Sequence, residues 1–373
     1  MFFRDSCYFC TSTFQLFAII SLAITRNEKA DLYIDPDFDK ASEYADNIRR
    51  ANIFCNVILI NAKEIYSEIY THKNGLLYNI QTAKSYLNVE KISKKFLLKD
   101  IYYNNMFFSS SAYFSRIVHF YFIKKKINTT INYFDDGIGS YLDNGAYKSR
   151  FLDRIIRRVL FGKQATSFHH TRFLFSSKTF RLLNPSNRDI IKEIPRLWED
   201  ENCKRLLNDI FLASQRPMIK EKVVILDQPK NELFCDSRVS LLTELYRLIV
   251  NVVGKSNVVL KRHPRDKDLE MGFVNYFLDF GVPFELVCMN TDMNEKVLIS
   301  YASTAVVTPK LWLNQEPVII LLYKLFKTGI GRCEEELLDK FFLQIKSTYS
   351  EKRKVIIPED IIELKDILLS LAN

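Results

Sequence analysis

The stretch Ser6–Asp35, SCYFCTSTFQLFAIISLAITRNEKADLYID, decides the fold. Ser6 to Cys10 is a short apolar, aromatic-rich run that reads as a buried strand, a helical pattern starts at about Phe14, and Asp31 to Asp35 reads as the next strand. The alternation continues with a helix near Ala41–Arg50 and a strand over Ile53–Ile60. Strands separated by helices return to the sheet in the same direction, so the pattern predicts a parallel sheet with crossover helices. The apolar run Phe14–Ile24 is shorter than the roughly 20 residues of a membrane span. It contains Gln15 and has neither a basic leader nor a small-residue cleavage site, so it reads as the first buried helix.

Outward from this block, a helical stretch over Ala112–Lys125 precedes a strand at Ile131–Phe134. Asp135-Asp136-Gly137 then falls at the carboxyl end of that strand, the edge at which open α/β sheets bind ligands. A second alternating block begins at Val223–Leu226 and continues through a helix at Ser240–Val253 and a strand at Asn257–Leu260. Short strands are expected at Phe284–Val287, Val297–Ser300 and Pro317–Leu322, with a final helix over Glu359–Leu371. With 373 residues the chain exceeds one comfortable core. The polar segment Ala213–Glu221, containing Pro217, reads as a linker between an acceptor-side domain at 1–215 and a nucleotide-binding domain at 220–373. The expected architecture is two Rossmann-like domains facing across a cleft.

Composition fits a soluble globular protein: 47% of residues are apolar and 26% charged, with no low-complexity tract or repeat, which argues against disorder. The net charge of +9 suits a phosphate- or carboxylate-rich partner: a nucleotide sugar, an anionic lipid surface or nucleic acid. Seven cysteines without paired spacing indicate a reducing, cytosolic compartment. Cys7 and Cys10 form a CxxC, but residues three apart on a strand point to opposite faces, so they read as structural.

Three motifs carry chemistry. In Phe134-Asp135-Asp136-Gly137-Ile138-Gly139-Ser140, adjacent carboxylates can supply a general base, since like charges side by side raise one pKa. An Asp-Gly turn with solvated carboxylates is the equal alternative. Lys261-Arg262-His263-Pro264-Arg265 places a histidine among cations directly after a strand, suited to hydrogen-bonding a phosphate. Ser300-Tyr301-Ala302-Ser303-Thr304-Ala305 offers hydroxyls and backbone N–H groups at the start of a helix, an anion site or an ordinary cap.

The order of these elements resembles the three motifs of bacterial sialyltransferases, and Phe-Asp-Asp-Gly-x-Gly is closest to glycosyltransferase family 52. Cys10-Thr11-Ser12-Thr13-Phe14-Gln15 and Leu226-Asp227-Gln228-Pro229 resemble the first loops of that family's two domains. The resemblance implies a GT-B fold and an inverting, metal-independent transfer of sialic acid or a related nonulosonate from a CMP-sugar to a bacterial surface glycan. It implies that His263 assists CMP departure, that Ser303 and Thr304 hold the phosphate, and that Lys261 and Pro264 lie at the nucleotide. Glu285 would take the ribose hydroxyls, and Thr13, Gln15, Gly137 and Gln228 would border the substrates. Asp135 is the expected base, followed by Asp136. Some family members place the base in the second-domain loop, where this chain has Lys230 flanked by Asp227 and Glu232.

Asp35-Pro36-Asp37 reads as a turn rather than a metal-binding DxD, and His169-His170 lacks a partner at metal-ligand spacing, so no metal is expected. In the segment 150–163, an apolar stripe at helical spacing is flanked by Arg154, Arg157 and Arg158. It reads as a core helix with a basic face, or as an attachment to the anionic inner surface of the cytoplasmic membrane. Nucleic acid is not an expected partner. The competing functions are CDP-glycerol or polyol-phosphate transfer, which also uses a His-Pro element, and a non-catalytic subunit of a glycan-assembly complex.

Overall fold

The structure, a computed structural model, describes residues 2–69, 75–109, 113–141, 151–162, 171–211, 218–228, 236–263, 271–277, 282–326 and 332–372. Two compact units divide the chain, Met1–Ser177 with Asn184–Leu197, and Lys178–Leu183 with Trp198–Asn373.

The chain first runs through β1 (Phe2–Cys10), α1 (Thr13–Arg26), β2 (Ala30–Ile34), α2 (Ala41–Ala51) and β3 (Asn56–Leu59). It continues through α3 (Ala62–Ile69), α4 (Gly75–Leu87), α5 (Val89–Ser93), β4 (Ile101–Phe108), α6 (Tyr113–Lys124) and β5 (Thr130–Phe134). Then come α7 (Ile138–Tyr141), α8 (Phe151–Phe161), β6 (Thr171–Leu174), α9 (Ser177–Leu183) and β7 (Ile190–Glu193). The seven strands form one sheet in the order β3-β2-β1-β4-β5-β6-β7, parallel throughout. Strand order reverses between β1 and β4, which opens a crevice at their carboxyl ends.

Side-chain alternation on β1 sends Cys7 and Phe9 into the cluster with Tyr33, Tyr103 and Met106. Tyr8 stacks instead on Phe107 on the opposite face, with ring centroids 4.5 Å apart. Helix α1 begins where Ser12 Oγ accepts the Gln15 N–H at 3.2 Å and ends at Asn27, left-handed at φ 44°. Such a cap contributes about 1 kcal/mol. Leu16 to Leu22 of α1 are buried without a break, so this helix is covered on every side rather than along one stripe.

The second unit contains α10 (Glu201–Ile210), β8 (Val223–Leu226), α11 (Asp236–Val253), β9 (Val258–Lys261), β10 (Asn275–Tyr276) and α12 (Phe284–Asn290). After these come β11 (Val297–Ser300), α13 (Thr308–Leu313), β12 (Val318–Leu321), α14 (Arg332–Thr348), β13 (Val355–Ile356) and α15 (Ile361–Ala372). Its sheet, again all parallel, has the order β10-β9-β8-β11-β12-β13 and reverses between β8 and β11. The central strands β8, β9 and β11 are buried at every residue, as continuous apolar runs covered on both faces must be.

Both parallel α/β units expected for the GT-B class are present, with three departures in detail. The unit boundary falls near Leu197, ahead of the expected linker, because α10 packs against α12 and so belongs to the second sheet. Phe284–Val287 is not a strand but the first part of α12, which begins after Pro283. Phe284 to Met289 are all buried, so the run carries no periodicity to separate helix from strand. Finally, Ile101–Phe108 forms β4, a strand unassigned from sequence, in which Asn104 and Asn105 interrupt the apolar run. Asn105 Nδ2 donates to Asp5 O at 3.0 Å, toward the amino end of the sheet where polar side chains are tolerated.

Candidate functional site

In the first unit the polar groups gather beside the β1/β4 crevice. The turn after β5 is built around Asp135, which is 1% exposed. Its Oδ1 accepts the Gly137 N–H at 2.9 Å, and its Oδ2 accepts the Tyr141 hydroxyl at 2.6 Å and the Phe175 N–H at 3.2 Å. Gly137 stands at φ 89°, a conformation that side-chain-bearing residues resist, which lets the chain fold back over the carboxylate. Burial pushes the Asp135 carboxyl up to about 7, helped by neighbouring Asp136 and opposed by the three hydrogen bonds. Asp135 is thus the internal brace of the turn.

Asp136 faces the other way and is half-buried. Its backbone N–H donates to Ser140 Oγ at 2.8 Å, and its Oδ1 accepts from Gln15 Nε2 at 2.8 Å. Gln15 is 2% exposed and fully engaged. Its Nε2 also donates to Ser109 Oγ at 3.0 Å, while its Oε1 accepts from the Thr11 N–H at 2.8 Å and the Thr11 hydroxyl at 3.0 Å. One amide therefore joins the loops after β1, β4 and β5 and holds the Asp136 carboxylate at the carboxyl edge of the sheet. Thr13, in the first turn of α1, is buried.

The second unit has its own polar edge at the β8/β11 reversal. Ser300 Oγ donates to Leu226 O at 2.7 Å, tying the two strand ends together, and accepts the Ser303 N–H at 3.2 Å. Ser303 Oγ in turn accepts the Ala305 N–H at 3.2 Å and caps the short helix Thr304–Val307; both Ser303 and Thr304 are half-buried. On the other side, Asp227 N–H donates to Lys261 O at 3.0 Å, so the loops after β8 and β9 are neighbours. Lys261, Arg262 and His263 therefore share one sheet edge with Gln228, Ser303 and Thr304. The Arg262 guanidinium lies 4.8 Å from the Tyr276 ring centre and the Lys261 ammonium 5.9 Å from that of Phe277. These rings orient both cations.

Asp227 is buried, and its Oδ1 accepts the Gln228 N–H at 3.0 Å and the Tyr246 hydroxyl at 3.1 Å, an arrangement that shapes the loop. Glu285 lies in the first turn of α12, buried, with the Thr308 hydroxyl 3.5 Å from Oε1. The buried Cys288 thiol is pushed well up, first by burial and then by Glu285, while Lys261 acts in the opposite direction.

Pro264, Arg265, Lys230, Glu232 and His169-His170 lie outside the described residues, as does the side chain of Arg154. Arg157 is 2% exposed, which removes it from any contact with a lipid surface, whereas Arg158 is exposed. Among the described residues, no three His, Cys, Asp or Glu side chains come together as a metal site, and no helix is long and apolar enough to cross a membrane. Sequence reading missed Ser109, Thr11 and Tyr141. Reading Ile101–Phe108 as a strand would have pointed to Ser109 at its carboxyl end.

No protein-family model and no curated protein matches the sequence. In three dimensions the chain is similar to a UDP-glucosyltransferase from Polygonum tinctorium capable of glucosylating indoxyl, with 9% identity, 98% of each chain covered and a TM-score of 0.46. It is also similar to UDP-GlcNAc 2-epimerase from Methanocaldococcus jannaschii, with 11% identity, 98% of this chain and 99% of that one covered and a TM-score of 0.43. TcCGT1, solved with UDP, shows 10% identity, coverage of 99% and 94% and a TM-score of 0.45. Likeness at this level carries no weight for residues or chemistry, which rest on the geometry above.

Proposed function

We propose that this protein is a GT-B-type glycosyltransferase that takes its sugar from a nucleotide donor, and that the donor is a CMP-activated nonulosonate such as CMP-sialic acid. The observation that carries the reading is the carboxyl edge of the second sheet, where Lys261, Arg262 and His263 at the end of β9 and the hydroxyls of Ser303 and Thr304 after β11 stand on the two sides of β8. Cations, hydroxyls and backbone N–H groups at such an edge suit a nucleotide phosphate. His263 donates to that phosphate as it departs, and Glu285 receives the ribose hydroxyls.

Asp136 is the base in this reading, in place of the Asp135 favoured from sequence. Asp135 is enclosed by Gly137, Tyr141 and Phe175, while Asp136 is half-exposed and held by Gln15. A base that removes the acceptor proton must be reachable by the acceptor. The first test is a donor screen with CMP-, CDP- and UDP-linked substrates, following hydrolysis and transfer to glycan acceptors. Turnover confined to a CMP-nonulosonate is expected. Turnover of CDP-glycerol instead would move the protein to polyol-phosphate transfer, and no nucleotide binding at millimolar concentration would reject the enzyme reading.

A further inference from the structure

Outside the two polar edges, the first unit carries a cavity of about 290 Å³ between α3, α4 and α5. Its apolar wall is Ile65, Ile69 and Ile92, and its polar wall includes Gln81, Ser85 and Asn88. Lys84, Lys91 and Lys95 also line it, all three exposed. Two neighbouring acids with described side chains are engaged elsewhere: Glu64 with Asn61, and Glu90 with Lys94 and Lys125. Among the described residues neither Lys84 nor Lys91 forms an ion pair.

The surface around this cavity is apolar where solvent would favour polar groups. Leu77, Ile80, Lys84, Leu87 and Lys91 follow one another at spacings of three and four, one outward stripe along α4 that continues into α5. Leu87 is 59% exposed, and Leu77 and Ile80 are exposed beside it. Helix α8 packs alongside α4, with the ring of Tyr86 against that of Phe161. Among the described side chains of α8 the exposed ones are Ile155, Arg158, Val159 and Leu160, with Val159 77% exposed. The basic-face expectation for this helix is therefore inverted in part: Arg157 is buried and valine is outside. Scattered exposed apolar residues are ordinary, but two adjacent helices that expose them together, rimmed by Lys84, Lys91, Lys95 and Arg158, mark a docking surface.

We infer that this α4–α8 face docks on an anionic lipid bilayer, with the cavity between α3, α4 and α5 receiving a phosphate-bearing lipid headgroup. Positive charge selects the lipid, and Leu77, Ile80, Leu87 and Val159 enter the boundary between headgroups and acyl chains. The assignment is independent of the donor: it concerns a different face of one unit and needs no nucleotide.

The test is co-sedimentation of the full chain with vesicles of phosphatidylcholine alone, or of phosphatidylcholine mixed with phosphatidylglycerol. Retention on the mixed vesicles only is expected, weakening as salt is raised. The triple variant Lys84→Gln, Lys91→Gln, Lys95→Gln should lose partitioning on the order of 100-fold, about fivefold per cation. Leu87→Ser with Val159→Ser should weaken it as well, and Lys352→Gln with Arg353→Gln, on the second unit, should leave it unchanged. Should the triple variant fail to fold by circular dichroism, the single Lys84→Gln and Lys91→Gln variants decide. Undiminished retention of the cavity variants, equal loss in the second-unit control, or uptake of inorganic phosphate without vesicle retention would each overturn the assignment. CMP affinity measured on the same variants separates this result from the donor reading, since lost vesicle binding with unchanged CMP binding bears on the lipid face alone.

Discussion

Gln15 Nε2 lies 2.8 Å from Asp136 Oδ1, a contact that spans 121 positions of sequence and fixes which of two adjacent carboxylates is presented at the sheet edge. Asp135, its immediate neighbour, is turned inward on Tyr141 and the backbone of Phe175. The two aspartates therefore make opposite predictions.

Asp136→Asn should leave the unfolding midpoint nearly unchanged and lower sugar transfer by about 100-fold or more, the size of a general-base contribution. Asp135→Asn should act on the fold instead. It sets an amide NH2 against the Gly137 N–H or against the Tyr141 and Phe175 donors, at a cost of about 1–3 kcal/mol. Denaturant unfolding and a transfer assay on both variants check this, and a folded Asp135→Asn protein that loses only transfer would return the base to Asp135.

The same burial makes stability depend on pH. The folded-state value of Asp135 is raised from the ordinary 3.8 to about 7, so the native protein holds this proton more tightly than the unfolded chain. That contribution is fully present below the unfolded value and is lost as pH rises through about 7. Unfolding free energy should therefore decline from acid-side conditions toward neutrality, and the Asp135→Asn variant should show a flatter profile. A pH series of urea melts on the two proteins measures the difference.

Gly137→Ala should destabilise the first unit by about 1–2 kcal/mol, since φ at this position is 89° and an alanine meets steric resistance there. The Asp136 carboxylate would also lose its setting, so transfer should fall further than stability does. Gly139→Ala is the matched control, because an added Cβ there meets nothing within 4 Å. Equal effects at the two glycines would show that the turn geometry is not what matters.

On the second unit, Glu285→Gln should weaken CMP binding on the order of tenfold while preserving the fold, because ribose hydroxyls bond more strongly to a carboxylate than to an amide. His263→Ala should weaken CMP binding and slow turnover together, since the proposed role puts the side chain on the donor in the ground state and in the transition state. Calorimetric titration of CMP together with a transfer assay, each run with and without EDTA, tests these expectations. Affinity and turnover are expected to survive the chelator if, as proposed, the phosphate charge is met by Lys261, His263, Ser303 and Thr304.

Much of this architecture is local and so legible in the residues themselves. The apolar runs at Ser6–Cys10, Ile131–Phe134, Val223–Leu226 and Val297–Ser300 are strands in the structure, and the placement of Asp135-Asp136-Gly137 and Lys261-Arg262-His263 at strand ends follows from them. Strand propensity and the switch from alternating to helical periodicity act over a few residues, and a single chain carries them in full. Local pattern failed where burial removed the periodicity, at Phe284–Met289, and where asparagines broke an apolar run, at Ile101–Phe108. Gly137 and Tyr141, close by in the chain, both bind Asp135, but their presence in the sequence does not say which of the two carboxylates they will hold. The difference is completed by Gln15, Ser109 and Phe175, brought to them by parallel pairing of β1, β4, β5 and β6. The exposure of Val159 and the burial of Arg157 likewise depend on how α8 lies against α4. Desolvation and hydrogen bonding set the charge and reach of a side chain, and both are supplied by neighbours in space, so only the tertiary structure decides them.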